Sequence, residues 1–455
     1  MERADSFDGI VLLLDDYSAE SKKLHTSFKL SEIEVTTLVI NDDGFIPDDV
    51  ISVYNVLLGD FSEHNSDIPG KPRYFNQIDV PKFWEISGNN SSGSVHDMGK
   101  ERARMYYAEP KNKRLVRLVE WLDEQGTVRV GDHYNKYGAL YARTIFNAKG
   151  ERVNKSFFSP GGKEIIAENY VTGSIVYCDG GVDRVFVNRT EFIIFVLEKL
   201  GLSQCRLLFN SLSYPFFVSE RKEENHKGDI LFWQENRRDD IPGNMQIILS
   251  YRAKRTGKIY VQKKAAYDKL IELGASPNIV KLMGNVYDFA KDNNGGNDVL
   301  ICTNSDQIEK LDEIVNALPK LHFHIAALTE MSSQLLSKDS FDNVSVYPGI
   351  KSAKLDELFM KCDYYLDINR YDEIVDAVST AFLHNQLILA FDETVHNRNH
   401  VCESNIYACE DWKAMTEKLT LAFESAQTRE RLMAEQRKEA LAEERDSFGD
   451  KLGLF

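Results

Sequence analysis

Side chains capable of chemistry cluster in few places in this sequence. Asn41, Asp42 and Asp43 follow an apolar run, Val35–Ile40, and precede Gly44 and Pro47. Such a segment makes a compact turn. It also stands at the carboxyl end of a strand, where open α/β sheets take their ligands. His322 and His324 alternate as metal ligands on one strand would, but no third ligand lies nearby in the sequence. His384, His396 and His400 fall close together, and His384 is the one singled out for a ligand cleft. Arg252, Lys254 and Arg255 form a basic patch that reads as a solvated turn or an anion site. The six cysteines have no CxxC spacing, so they read as small buried hydrophobes and not as a zinc or disulfide framework. No metal site and no cofactor is expected.

The elements that must position these residues begin with a strand at Gly9–Leu14, a helix near Ser18–Leu30 and a strand at Val35–Ile40. This is a β-α-β opening. The chain then changes texture. Gly126, Gly138, Gly150 and Gly162 stand twelve apart, as do Tyr134, Phe146, Phe158 and Tyr170, and a third register carries Tyr141, Val153 and Ile165. Glycine at a fixed offset supplies the positive φ of a tight reversal, and the run between glycines suits one strand. One strand and one turn per repeat predicts an antiparallel meander.

Residue parity would put Leu140, Ala142, Thr144, Phe146, Phe158 and Tyr170 on one face, and Tyr141, Ile145, Phe157 and Ile165 on the other. Neither face is apolar enough for a core, and both carry more aromatics than a solvated face needs. The sheet is read either as half-exposed on its own domain or as a docking surface for a partner. Tyr141, Phe146, Phe158, Ile165 and Tyr170 are the candidates for that contact.

Strand–helix alternation resumes after Val185, so the meander is an insertion in an α/β domain. Ala290–Asp298 reads as a linker, and a second alternating run follows. The predicted fold class is α/β, with two Rossmann-like domains facing across a cleft and a meander inserted in the first. The predicted segments are 1–65 and 189–290 for the first domain and 66–188 for the insertion. The second domain is placed at 298–430, and a charged tail at 431–455 is expected to be solvated. The formal charge of −16 argues against sequence-independent nucleic-acid binding. No apolar run is long enough to cross a membrane, and the expected compartment is the cytoplasm.

The second domain resembles the donor-binding half of retaining, nucleotide-sugar-dependent glycosyltransferases. The resemblance lies in Cys302–Ala327 and in the stretch Leu366–Asp392. It places Ser305 where that family has an arginine and Lys310 at the family's lysine. It also places Asp372 and Thr380 at the family's two glutamates. The outline is present, but a cation and a carboxylate are missing. Losing one preorganised donor costs on the order of 2.7–4 kcal/mol, so an autonomous transferase is disfavoured. Together with the Ile40–Val50 opening and the meander, the whole chain resembles the glycosyltransferase-stabilising proteins of Gram-positive accessory Sec loci.

That resemblance implies a non-catalytic subunit of a complex transferring N-acetylglucosamine to Ser/Thr of serine-rich repeat adhesins. It implies a heteromer, a heterotetramer by family resemblance, formed with the catalytic subunit through the meander. It also implies an acceptor polypeptide held at a cleft, for which Asn41, Asp42, Asp43 and His384 are candidates. The membrane would be met only peripherally, at its inner face, through the complex. The rival readings are an active retaining UDP-sugar transferase and a structural scaffold.

Overall fold

The computed structural model describes residues 9–222 and 228–454. Among them the chain forms three sheets in two compact units, with the boundary between Leu282 and Met283. In the first unit Ile10–Asp16 (β1), Ala19–Leu30 (α1), Thr36–Asn41 (β2) and Val50–Ser52 (β3) open a parallel sheet. Val11 to Leu14 are fully buried, as a strand covered on both faces requires.

The insertion follows as β4 (Glu85–Gly88), β5 (Ser92–Asp97), β6 (Lys100–Tyr107), β7 (Val116–Leu122), β8 (Val128–Tyr134), β9 (Leu140–Phe146), β10 (Arg152–Phe158), β11 (Glu164–Asn169), β12 (Ile175–Asp179) and β13 (Val182–Phe186). The parallel sheet then resumes with α2 (Arg189–Lys199), β14 (Arg206–Phe209), α3 (Tyr214–Arg221), β15 (Asp229–Trp233), α4 (Gly243–Leu249), β16 (Thr256–Val261), α5 (Lys264–Glu272) and β17 (Val280–Leu282). Its strand order is β3-β2-β1-β14-β15-β16-β17. This is the doubly wound order, with its switch point between β1 and β14.

The insertion is a ten-stranded antiparallel sheet whose spatial order follows the chain. Gly126, Gly138, Gly150 and Gly162 all sit at φ between +77° and +81°, which matches the sequence reading. A further register at the same spacing was not read from the sequence. Asp123, Asn135, Asn147 and Ser159 open the four turns, and each side chain accepts a backbone N–H from within its own turn.

Each of these four hairpins, and the β6–β7 pair before them, carries a register shift at one repeated position: Arg117, Arg129, Tyr141, Val153 and Ile165 are the bulged residues. The third register of the repeat is therefore a bulge register. This overturns the parity reading of the faces. Thr144 pairs with Lys155 and Ala142 with Phe157, so even residues of β9 share a face with odd residues of β10. Phe146 and Tyr170 thus share one face, whereas Tyr134 and Phe158 share the other.

The two ends of the sheet bury opposite faces. Register followed from Met105 through Val119, Asp132 and Arg143 leads to Ser156. On that face Met105, Val119 and Tyr134 build a separate core with Val95, Trp84 and Trp121. On the other face Ala142, Phe157, Ile166 and Tyr177 join the main core beside Tyr54, Phe192 and Phe195. Tyr54 stacks on Phe157, with ring centroids 4.2 Å apart.

The second unit contains β18 (Asp298–Thr303), α6 (Leu311–Ala317), β19 (His322–Ala327), α7 (Ser333–Leu336), β20 (Val344–Tyr347), α8 (Ser352–Lys361), β21 (Tyr364–Asp367), α9 (Ala377–Leu383), β22 (Leu387–Phe391), β23 (Ile406–Tyr407), α10 (Trp412–Glu424), α11 (Ala426–Glu439) and α12 (Arg445–Leu452). Its order, β20-β19-β18-β21-β22-β23, repeats the winding of the first sheet.

Three local readings are corrected. Ala290–Asp298 is not a free linker, because Lys291 Nζ binds Asp363 Oδ1 (2.5 Å) and Asn293 Nδ2 donates to the Asp363 carbonyl (2.7 Å). The tail beyond residue 430 is packed. Gln436 accepts from Ile388 N (3.0 Å) and donates to Gln386 O (2.9 Å), and Phe448 and Leu452 are fully buried. Arg255 belongs to no solvated patch. It is fully buried and paired with Asp229 at 2.9 Å, and Asp229 also accepts from Ser219 Oγ (2.8 Å).

Candidate functional site

Within the first unit, the carboxyl end of β2 meets the face of the meander that carries Phe146 and Tyr170. The loop after β2 can approach because Gly44 lies at φ +87°, and a Cβ there would stand 2.6 Å from Tyr134 O. Lys136 N donates to Gly44 O (2.8 Å) and Tyr141 Oη to Asp42 O (3.1 Å), which clamps the β8–β9 turn onto this loop.

The junction encloses a cavity of about 340 Å³, lined among others by Asn41, Asp42, Glu120, His133, Phe146, Lys155, Glu168, Tyr170, Arg189 and Tyr214. Its floor is a buried ion pair. Arg189 Nε and Nη2 donate to the two Glu168 oxygens at 2.8 and 2.9 Å, and Nη1 donates to Asn41 Oδ1 at 3.1 Å. Arg189 opens α2, after the N-cap Asn188.

Asp42 is satisfied locally, accepting from Gly44 N (2.7 Å) and Asn55 Nδ2 (2.5 Å). Burial pushes its carboxyl up to about 6, against the hydrogen bond from Gly44. Burial likewise pushes the Lys155 ammonium down to about 8, against the pull of Glu168 and Asp42. His133, bonded to Thr144 Oγ1 at 2.9 Å, is held well below the usual imidazole range by burial and then by Lys155.

The structure thus joins members of two predicted sets and divides both. Asn41 and Asp42 share the cavity with Phe146 and Tyr170. Asp43 is an exposed turn residue whose Oδ1 accepts from Phe45 N (2.9 Å). Tyr141 cannot present its ring to a partner, because it is 1% exposed and its bulge aims it into the core. Phe158 stays half-buried on the opposite face, and Ile165 packs half-buried against the main core. Lys155, Glu168 and Arg189 were not singled out from the sequence. The bulges that bring Lys155 and Glu168 to this face leave no composition signal.

In the second unit the carboxyl edge of the sheet is closed by its own side chains. Ser305 Oγ donates to Asn369 Oδ1 (3.4 Å), and Thr380 Oγ1 donates to Val375 O (3.4 Å). Lys310 pairs with Glu313 at 3.6 Å, and Asp372 is exposed to solvent. Glu373 Oε1 accepts from Val378 N (2.6 Å), so a carboxylate already occupies the first turn of α9. Burial raises that carboxyl above its ordinary value.

His396 donates from Nδ1 to Asp367 Oδ1 (2.6 Å) and from Nε2 to Tyr371 O (2.5 Å). The bond to Asp367 raises its pKa to about 9. His384 does not join this edge. It follows α9 at the amino edge of the sheet, its Nδ1 2.7 Å from Thr380 O, and His400 is buried against Phe382. His324 bonds Asp298 Oδ1 (2.7 Å) at the start of β18. Among the described residues no group of three or more His, Cys, Asp or Glu could hold a metal ion.

Four family models cover most of the chain: the GtfB N-terminal domain at residues 11–56, the GtfB middle domain at 84–187, the GtfB third domain at 189–273, and the GftB/GlyA-F C-terminal domain at 299–436. The chain is 43% identical over 401 residues to the UDP-N-acetylglucosamine–peptide N-acetylglucosaminyltransferase stabilizing protein GtfB of Streptococcus gordonii, covering 88% of each chain. This chain belongs to the GtfB family of glycosyltransferase-stabilizing proteins. Its similarity to the Streptococcus pneumoniae member is 40% over 417 residues, covering 91% of this chain and 92% of the relative.

A chain in the crystal structure of a GtfA/B complex bound to UDP and GlcNAc superposes with a TM-score of 0.88 at 39% identity, over 98% of this chain and 100% of that one. Within this family fold the middle-domain match coincides with the ten-stranded sheet, Glu85–Phe186.

Proposed function

We propose that this chain is the non-catalytic, stabilizing subunit of a UDP-N-acetylglucosamine-dependent peptide O-glycosyltransferase. The carrying observation is identity of 43% over nearly the whole length of a relative so named. The geometry supports it. At the carboxyl edge of the second sheet, the positions that would hold a departing diphosphate are Ser305 and a helix turn filled by Glu373. A carboxylate there repels the anion that a donor site must attract.

The catalytic partner supplies donor binding and chemistry, and the two chains assemble as a heterotetramer. The first unit of this chain holds a Ser/Thr-rich, disordered acceptor polypeptide beside Asn41, Asp42 and Asp43. The acceptor is a serine-rich repeat adhesin awaiting accessory Sec export. The complex works in the cytoplasm, touching the membrane only peripherally. Among the described residues no helix is long and apolar enough to cross a membrane.

The test is co-purification with the catalytic partner, followed by transfer assays on each chain alone and on the complex. The expected result is transfer by the complex and none by this chain. Turnover by this chain alone at about 1 s⁻¹ or faster would favour an active transferase instead. Assembly without acceptor binding would leave a scaffold. Phe158→Ala should keep the fold and weaken assembly by about 2 kcal/mol, roughly thirty-fold. Tyr141→Ala should instead unfold at lower denaturant, because it deletes a buried ring.

A further inference from the structure

One serine-rich tract lies away from both carboxyl edges, at the rim of the ten-stranded sheet. Residues 87–94 read Ser-Gly-Asn-Asn-Ser-Ser-Gly-Ser, with no charged and no apolar side chain. They close the hairpin of β4 and β5, and β4 is an outer strand of that sheet. The turn is built by its asparagines. Asn89 Oδ1 accepts from Ser91 N (2.7 Å) and Ser92 N (2.9 Å), and Arg114 Nη2 donates to Asn90 Oδ1 (2.8 Å). The Ser87 and Ser94 hydroxyls bond each other across the two strands at 3.0 Å. Ser91 and Ser92 are both exposed, and among the described residues neither hydroxyl has a hydrogen-bond partner.

Two glycines make the tip slender. A Cβ at Gly88 or Gly93 would stand 2.6 or 2.7 Å from Tyr107 Oη, so the hairpin lies directly on that side chain and carries none of its own at either position. The tip is thereby fixed to the sheet while its outer side stays bare. Beside it runs an open groove of about 570 Å³, lined among others by Ser92, Glu101, Arg104 and Tyr106. A volume of that order holds a small organic ligand, so a substituent on Ser92 meets room and not a wall. The other serine cluster, at 332–340, is already spent. Ser332 caps a helix, and Ser337 and Ser340 donate to backbone carbonyls. Substituting those hydroxyls would break protein hydrogen bonds, whereas substituting Ser91 or Ser92 breaks none.

We propose that Ser91 and Ser92 are O-glycosylation sites on this chain, modified with N-acetylglucosamine by the catalytic partner of its own complex. The inference rests on the transferase-subunit reading above and adds a substrate to it, the subunit itself. The tract presents what a serine-rich acceptor presents: spare primary hydroxyls on a backbone free of bulky side chains. In the step, serine Oγ bonds to C1 of the sugar as the bond from C1 to the UDP diphosphate oxygen breaks, and the hydroxyl proton leaves with the UDP. The product carries a hydrated sugar beside an outer strand that has little else to guard it, since the one charged residue of β4 is Glu85. An unpaired outer strand is a template for pairing with other chains, and bulk at its end opposes that pairing.

The experiment compares the intact mass of this chain expressed alone with its mass in the complex, after the complex has been incubated with UDP-N-acetylglucosamine. A synthetic serine-rich peptide in a parallel reaction reports that the complex is active. The chain from the complex should gain whole N-acetylhexosamine residues, and electron-transfer fragmentation should place them on Ser91 and Ser92. The chain expressed alone should gain none. Combined Ser91→Ala and Ser92→Ala should abolish the gain, whereas combined Ser87→Ala and Ser94→Ala should keep it. Unchanged melting of both variants shows that the hairpin is kept, and site localisation in the wild type decides the matter if either variant misfolds. A modified peptide beside an unmodified chain overturns the sites and leaves the proposed function standing. Sugar found only elsewhere on the chain, or a gain that survives the Ser91 and Ser92 substitutions, overturns them as well. A complex that modifies neither peptide nor chain removes the proposed function along with the sites.

Discussion

The two doubly wound sheets share one winding order but treat their carboxyl edges in opposite ways. In the first unit the edge opens onto a cavity of about 340 Å³, into which the Lys155 ammonium and the Phe146 and Tyr170 side chains face. In the second unit Ser305, Thr380, Glu373 and His396 all turn inward to protein partners. The difference shows two ways in which one winding order can finish its carboxyl edge. Buried polar groups must find partners, because each one left unpaired costs about 1–3 kcal/mol. The second edge has done so, whereas at the first the Lys155 ammonium meets only a ring face among the described residues.

The largest test of that contrast is Glu168→Gln. Removing one partner strands the Arg189 guanidinium on the cavity floor, and breaking a buried pair this way costs about 3–5 kcal/mol. Urea unfolding of the full chain should show a loss of that size, and the cavity should lose its shape with it. A loss under 1 kcal/mol would mean that water, not Glu168, satisfies Arg189 and that the first edge is as open as a surface.

A smaller effect should appear at the second edge through His396. Its pKa is raised from 6.5 to about 9, so its contribution is complete below about pH 6.5 and fades as pH rises toward 9. The size is at most about 3 kcal/mol, at roughly 1.4 kcal/mol per pKa unit, and is reduced by water screening this half-buried ring. Denaturation midpoints measured at pH 6 and pH 9 should therefore fall in the wild type by more than in His396→Gln. Parallel pH profiles for the two chains would show that the imidazolium does not hold the loop through Tyr371.

The smallest is Glu373→Ala, expected to cost about 1 kcal/mol through the loss of one hydrogen bond to Val378 N. The wild type should show no UDP-induced rise in melting temperature. A rise in the wild type would break the contrast, because a sealed edge has no place for a diphosphate.

Much of the architecture could be read from residue order. Strand–helix alternation announced two parallel sheets, and glycine spacing announced the meander and its reversals. The faces of the meander could not be read by parity, because a bulge resets the alternation in each hairpin from β6 to β11. Bulges follow from turn geometry and not from hydrophobic pattern. Two signals were present, one unread and one noted as a repeat without its meaning. Asp123, Asn135, Asn147 and Ser159 marked the turn openings at the same spacing. The Tyr141, Val153 and Ile165 register marked the bulges themselves. Arg189 was illegible for another reason: its partners lie 21 and 148 residues away in sequence. Arg255 misled because it sits among exposed basic neighbours while its own side chain turns into a buried pair.

The bulge in each hairpin also sets an arithmetic for length changes in this sheet. Moving forward by twelve residues carries a position to the neighbouring strand, the other end of the sheet and the other side, as Phe146 and Phe158 illustrate. Moving by twenty-four brings it back, as Phe146 and Tyr170 illustrate. A single duplicated unit would therefore turn every later strand inside out, sending the Phe157 and Ile166 positions to solvent. A duplicated pair would preserve all of them and widen the sheet by about 9–10 Å. Tolerated insertions and deletions in this region should come in hairpins, never in single strands.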